Sequence, residues 1–199
     1  MDKSTCPLWM LVADSQRGIK ERSGPKKFNG NIMNMFRVAG ADWPQDDSVP
    51  WCAAYVGACL ERAGILGTRS MMARSYLKWG TECDPKVGAI AIFPRGKNPK
   101  LGHVGFVFAT KGNRVAILGG NQSDAVNVQW RDIDSALGYR WPEMDGSYSE
   151  SFDAALKVTL RWEGGVSDDP KDPGGFTNKG ITIGRWEEWN GKSRDALRH

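Results

Sequence analysis

Pro50-Trp51-Cys52-Ala53-Ala54-Tyr55-Val56-Gly57-Ala58-Cys59-Leu60-Glu61-Arg62-Ala63-Gly64 is a helix written with its own start and stop signals. Val56, Cys59, Leu60 and Ala63 recur at spacings of three and four, Pro50 stands at the entrance, and Gly64 supplies a left-handed stop. Cys52 then lies in the first turn, where unpaired backbone N–H groups and the positive end of the helix dipole favour a thiolate. The same N–H groups are suited to holding an oxyanion. A cysteine there is either a nucleophile or a small buried packing residue. Cys59, about 10.5 Å further along the axis, is too far away for a disulfide and reads as core.

A thiolate nucleophile needs a base within hydrogen-bond reach, and the chain holds two histidines, His103 and the terminal His199. His103 opens His103-Val104-Gly105-Phe106-Val107-Phe108-Ala109, a strand whose even and odd positions face opposite ways. Gly102 and Gly105 leave room beside the ring. A second strand, 114–121, follows Lys111-Gly112-Asn113, so a hairpin with a three-residue loop is expected. With Thr110 opposite Arg114, His103 falls across from Asn121 on the same face. Asn121 is then either the acceptor that fixes the imidazole tautomer or a turn-former beside Gly119 and Gly120. A two-residue loop would slip this register by one.

Taken together, Trp51-Cys52-Ala53-Ala54, Gly102-His103-Val104-Gly105 and Leu118-Gly119-Gly120-Asn121-Gln122 resemble the CHAP family of papain-like amidases and peptidases, in its prophage-associated subgroup. The likeness extends through 73–80, 87–93 and 137–142. It implies an α+β papain-like fold, N-terminal helices on an antiparallel sheet, and cleavage of a peptidoglycan amide or peptide bond through a thioester, as in an endolysin. It carries the nucleophile to Cys52, the base to His103 and the orienting group to Asn121; Trp51, Gly102, Gly120 and Gln122 are the expected substrate-contacting positions. Many family members have a glutamate two residues before the asparagine; this chain has Gly119, so the asparagine-assisted triad is expected.

A second resemblance begins at Glu163-Gly164-Gly165 and runs through Asp168-Asp169-Pro170-Lys171-Asp172-Pro173-Gly174-Gly175 to Thr177-Asn178-Lys179-Gly180. It is similar to the start of a glycoside hydrolase family 108 muramidase, which maps the catalytic acid to Glu163. From the residues alone, Glu163 is either such an acid at the end of a helix over 152–160 or an ordinary solvated charge. Only 49 residues follow Glu150, little for a core of its own, so the muramidase-like part reads as truncated.

The expected organisation is a hydrolase domain over 1–142, a polar linker over 143–150 and the partial segment, with a short helix, over 151–199. Charge divides at the same place: 19 Lys and Arg against 12 Asp and Glu in 1–142, then 8 against 11. The basic part suits an anionic wall polymer. No nucleic-acid motif accompanies the charge, and no nucleic-acid partner is expected. Further helices are expected over 7–17, 31–39 and 71–79, and strands over 87–141.

Cysteines 6, 52, 59 and 83 show no metal-ligand or disulfide spacing, so no metal, cofactor or bridge is expected. No apolar run is long enough to span a membrane and no signal-peptide core opens the chain. Synthesis in the cytoplasm, holin-dependent export and action at the cell wall are the corresponding expectations; oligomeric state is not legible. Two alternatives stay open: a non-catalytic wall-binding module, and an interbacterial effector using the same bond chemistry.

Overall fold

The computed structural model describes residues 6–22, 28–44, 46–143, 166–167, 177–178 and 181–182. The chain divides into two compact units, 1–143 and 144–199. The first is α+β: three helices come first, and an antiparallel six-stranded sheet follows.

The helices are α1 (Leu8–Asp14), α2 (Gly30–Val38) and α3 (Cys52–Arg62). Asn29 caps α2 by accepting from the Asn31 N–H at 2.9 Å, and left-handed Gly40 and Gly64 follow the ends of α2 and α3. Every residue of α3 from Cys52 to Leu60 is buried, so it is the central helix of its layer, with α1 and α2 beside it. Tyr55 pins α1 through a 2.9 Å bond to the Ala13 carbonyl and meets Phe106 edge-on at 6.1 Å on the sheet. The helix expected over 71–79 is instead a 3₁₀ turn, Ala73–Lys78, ended at left-handed Gly80.

The sheet comprises β1 (Thr81–Glu82), β2 (Ile90–Pro94), β3 (Gly102–Lys111), β4 (Arg114–Gly119), β5 (Asn127–Asp132) and β6 (Gly138–Trp141), in the order β1-β6-β2-β3-β4-β5. Strand β3 is buried on both faces. One face of the sheet meets α3, and the other, carrying Ala91, Phe93, Val107, Val115 and Ile117, closes a second apolar cluster under Tyr139.

The β3–β4 hairpin differs from its expected form in a compensating way. Lys111 pairs with Arg114, so the loop has two residues, Gly112 and Asn113, with Gly112 left-handed. That slips the register by one, until an irregularity between Val107 and Ala109 absorbs a residue of β3. Beyond it Val107 faces Ile117 and Phe106 faces Leu118, the alignment the three-residue loop would have given.

In the second unit, β7 (Val166–Ser167), β8 (Thr177–Asn178) and β9 (Ile181–Thr182) form a small antiparallel sheet. The helix expected over 152–160, and Glu163, lie outside the described residues. Among the described residues no helix is long and apolar enough to cross a membrane.

Candidate active site

The site forms where β4 leaves β3. On the β4 side of β3 the pairing ends at Phe106 and Leu118, so Val104 has no ladder partner there. Its N–H is directed at the Cys52 sulfur instead, as are those of Ala53 and of Cys52 itself. The sulfur thus sits against the strand position next to His103.

Two glycines make this approach possible. A Cβ on Gly120 would lie 2.5 Å from Trp51 Cζ3 and 2.6 Å from Tyr55 Cβ, both on fully buried side chains, so only glycine lets the start of α3 close on the end of β4. A Cβ on Gly119 would lie 3.2 Å from His103 Nε2 and 3.1 Å from Gln122 Cδ. Gly102, at the opening of β3, lies under Arg74, whose Nε donates to the Leu101 carbonyl at 2.7 Å.

Past Gly120 the backbone turns left-handed at Asn121, Ser123 and Asp124, with φ of 56°, 52° and 58°. This turn decides which side chain reaches the imidazole. Extension of the strand would have set Asn121 across from His103; the turn rotates it away to line a polar cavity beside the ring and brings Gln122 inward. Gln122 Oε1 lies 3.1 Å from His103 Nε2. Residue 122, expected as a substrate contact, here meets the imidazole of His103.

The amide orientation follows from its other contacts. Gln122 Nε2 faces three acceptors: the Asn127 carbonyl at 2.7 Å, the Ile117 carbonyl at 3.1 Å and Asn127 Oδ1 at 3.1 Å. Only an NH₂ group satisfies them, so the oxygen is the atom turned to the ring. A carbonyl oxygen only accepts; the ring therefore carries its proton on Nε2 and keeps the Nδ1 lone pair free. The Asn127 Nδ2 donates back to the Gln122 carbonyl at 2.6 Å, which braces the loop.

Trp51 is fully buried, and its indole N–H donates to Glu21 Oε1 at 2.6 Å. Its ring is enclosed by the protein. Burial raises the Glu21 carboxyl, opposed by the Trp51 bond and reinforced by Asp124 and Asp47. Cys59 is fully buried, receives Gln16 Nε2 at 3.3 Å, and its thiol is pushed up to about 12 by desolvation.

The resting protonation state differs from a simple helix-start thiolate. Burial raises the Cys52 thiol, outweighing the three N–H groups and the Arg95 charge that pull it down. His103, 7% exposed, is lowered to about 4 by burial first, then by Arg131, with Arg95 adding and the Gln122 contact opposing. Both directions favour the neutral thiol and neutral imidazole. The arrangement is suited to proton transfer when substrate arrives, rather than to a standing ion pair.

Among the described residues no group of three or more His, Cys, Asp or Glu side chains is placed to hold a metal ion.

Residues 44–121 match the family model of the CHAP domain, a span that holds Cys52, His103 and Asn121 and stops one residue short of Gln122. Residues 156–198 match that of Glycosyl hydrolase 108. Both resemblances seen in the sequence are thus matched. Among solved structures the chain is similar to a protein from Staphylococcus aureus subsp. aureus Mu50 titled as similar to lipoprotein, NLP/P60 family. The identity is 17% and the TM-score 0.43, over 73% of this chain and 43% of that one. The chain thus spans less than half the length of that protein. No curated protein matches it.

Proposed function

We propose that the first unit is a peptidoglycan hydrolase that cuts a wall amide or peptide bond by cysteine nucleophilic catalysis. His103 Nδ1 takes the Cys52 thiol proton, and the sulfur adds to the scissile carbonyl. The N–H groups at the start of α3 are the donors for the resulting oxyanion. Collapse breaks the C–N bond, the amine leaves with the proton from Nδ1, and a thioester stays on Cys52. Water, deprotonated by the same nitrogen, then releases the acid and restores the thiol.

The observation that most supports this reading is the Gln122–His103 contact. It commits the ring proton to Nε2 and leaves Nδ1 as the basic atom, on the residue adjoining the strand N–H that meets the sulfur. Gln122 is therefore the orienting residue in this proposal, and Asn121 a wall of the neighbouring cavity. The 156–198 match is the basis for a second, muramidase-type activity with Glu163 as its acid.

Digestion of purified walls by the parent and by Cys52→Ala, read by mass spectrometry of the muropeptides, tests both. New amide or peptide termini that vanish in Cys52→Ala are expected. A free lactyl-muramic end identifies an amidase, a new stem or bridge terminus an endopeptidase, and a new reducing sugar activity of Glu163. Equal release of termini by parent and variant would reject the cysteine mechanism; sedimentation with walls and no release would favour a binding module.

A further inference from the structure

Beside His103 is a polar cavity of about 180 Å³ lined by Arg95, Arg131, Asn121, Ser123 and Gln129 as well as the ring. It holds about six water volumes, enough for a carboxylate group. Its two cations come from distant parts of the chain. Arg95 follows the end of β2, and Arg131 lies on β5 opposite Val115. The Arg131 guanidinium lies over the Phe93 ring, 5.0 Å from its centroid, and its Nε is buried without a hydrogen-bond partner.

Burying that guanidinium is costly. Burial alone pulls Arg131 below its ordinary value, with no neighbouring carboxylate acting the other way. Among the described residues neither arginine forms an ion pair. A planar guanidinium held over an aromatic ring at the wall of a polar cavity is pre-organised for a carboxylate, which accepts two parallel N–H bonds. Gln129, Asn121 and Ser123 supply further polar contacts without competing negative charge.

We infer that this cavity is a carboxylate subsite in which Arg131, assisted by Arg95, seats an acidic group of the substrate peptide next to the reacting carbonyl. The assignment rests on the reading of Cys52 and His103 as the reacting pair and adds a preference for acidic over amidated peptides. It also gives the two arginines a role in timing. Burial is the main cause of the lowered His103, the two arginines add to it, and a bound carboxylate offsets the arginine share, making the base stronger when substrate is present.

The test is binding to full-length Cys52→Ala, followed by NMR of the His103 and Arg131 ring and guanidinium nitrogens at fixed ionic strength. Three probes are titrated: N-acetylglutamate α-amide for a side-chain carboxylate, N-acetylalanine for a chain-terminal one, and N-acetylglutamine α-amide as the neutral isostere. One of the acids is expected to shift both residues and move the His103 titration upward, the more effective acid identifying the source. Arg131→Gln is expected to weaken that binding about tenfold or more, and Arg131→Lys to give an intermediate loss. No perturbation of a folded Cys52→Ala by either acid, or an equal one by the neutral amide, would overturn the subsite. An unchanged affinity in a folded Arg131→Gln would do the same. Wall digestion separates the two readings: cleavage without acid binding removes the subsite alone, and acid binding without cleavage removes the hydrolase reading alone.

Discussion

Replacing Gln122 by alanine removes the acceptor on His103 Nε2 and the donors to the Ile117 and Asn127 carbonyls and to Asn127 Oδ1. Orphaning those partners costs about 1–3 kcal/mol of stability. The catalytic loss has a separate origin. A neutral acceptor on Nε2–H favours that tautomer by about 1 kcal/mol, so its removal alone lowers the fraction with Nδ1 free by about fivefold or less. Freedom of the ring to rotate adds to this, and the expected fall in kcat/KM is about ten- to a hundredfold. Asn121→Ala, at the position that strand register would have chosen, is expected to stay within about threefold of the parent. Initial rates of wall-amine release measure both variants, and imidazole ¹⁵N shifts report the tautomer directly: Nε2–H in the parent, a mixture in Gln122→Ala. Full activity in Gln122→Ala, or a larger loss in Asn121→Ala, would refute the tautomer argument.

The raised Cys52 thiol predicts that iodoacetamide alkylation, followed in a Cys6→Ser/Cys83→Ser background, keeps climbing at pH 9, whereas a thiolate plateau near neutral pH would reveal an ion pair instead. His103 is lowered from 6.5 to about 4, so between those values the unfolded chain binds a proton that the folded one does not. Its contribution is therefore complete above pH 6.5 and is lost as pH falls to about 4, an effect of about 3 kcal/mol that chemical denaturation should show and His103→Gln should flatten. Gly120→Ala forces a methyl into Trp51 and Tyr55 and is expected to cost about 1–3 kcal/mol in thermal unfolding, while Gly30→Ala, where a Cβ meets nothing within 4 Å, should be neutral or slightly stabilising. Equal melting temperatures for the two glycine variants would contradict the close approach of α3 to β4.

Local signals made much of the molecule legible in advance. The α3 start at Cys52, the left-handed stops at Gly40 and Gly64 and the β3–β4 hairpin follow from spacing and backbone sterics that act within a few residues. The Ala73–Lys78 segment kept its place but not its type, since six residues carry too few i to i+4 bonds to insist on α geometry.

Sequence by itself determined that a cysteine would begin a buried helix and that a histidine would open a strand, because helix signals and alternation need no distant partner. Tertiary structure decided the rest. A two-residue loop and a compensating irregularity restored the register, and the left-handed turn after Gly120 then exchanged Asn121 for Gln122. Burial outweighed the helix-start donors at Cys52, and sheet pairing brought Arg131 beside His103 although 28 residues separate them in the chain. Protonation state and side-chain neighbourhood depend on what the fold removes from water, which no local pattern records.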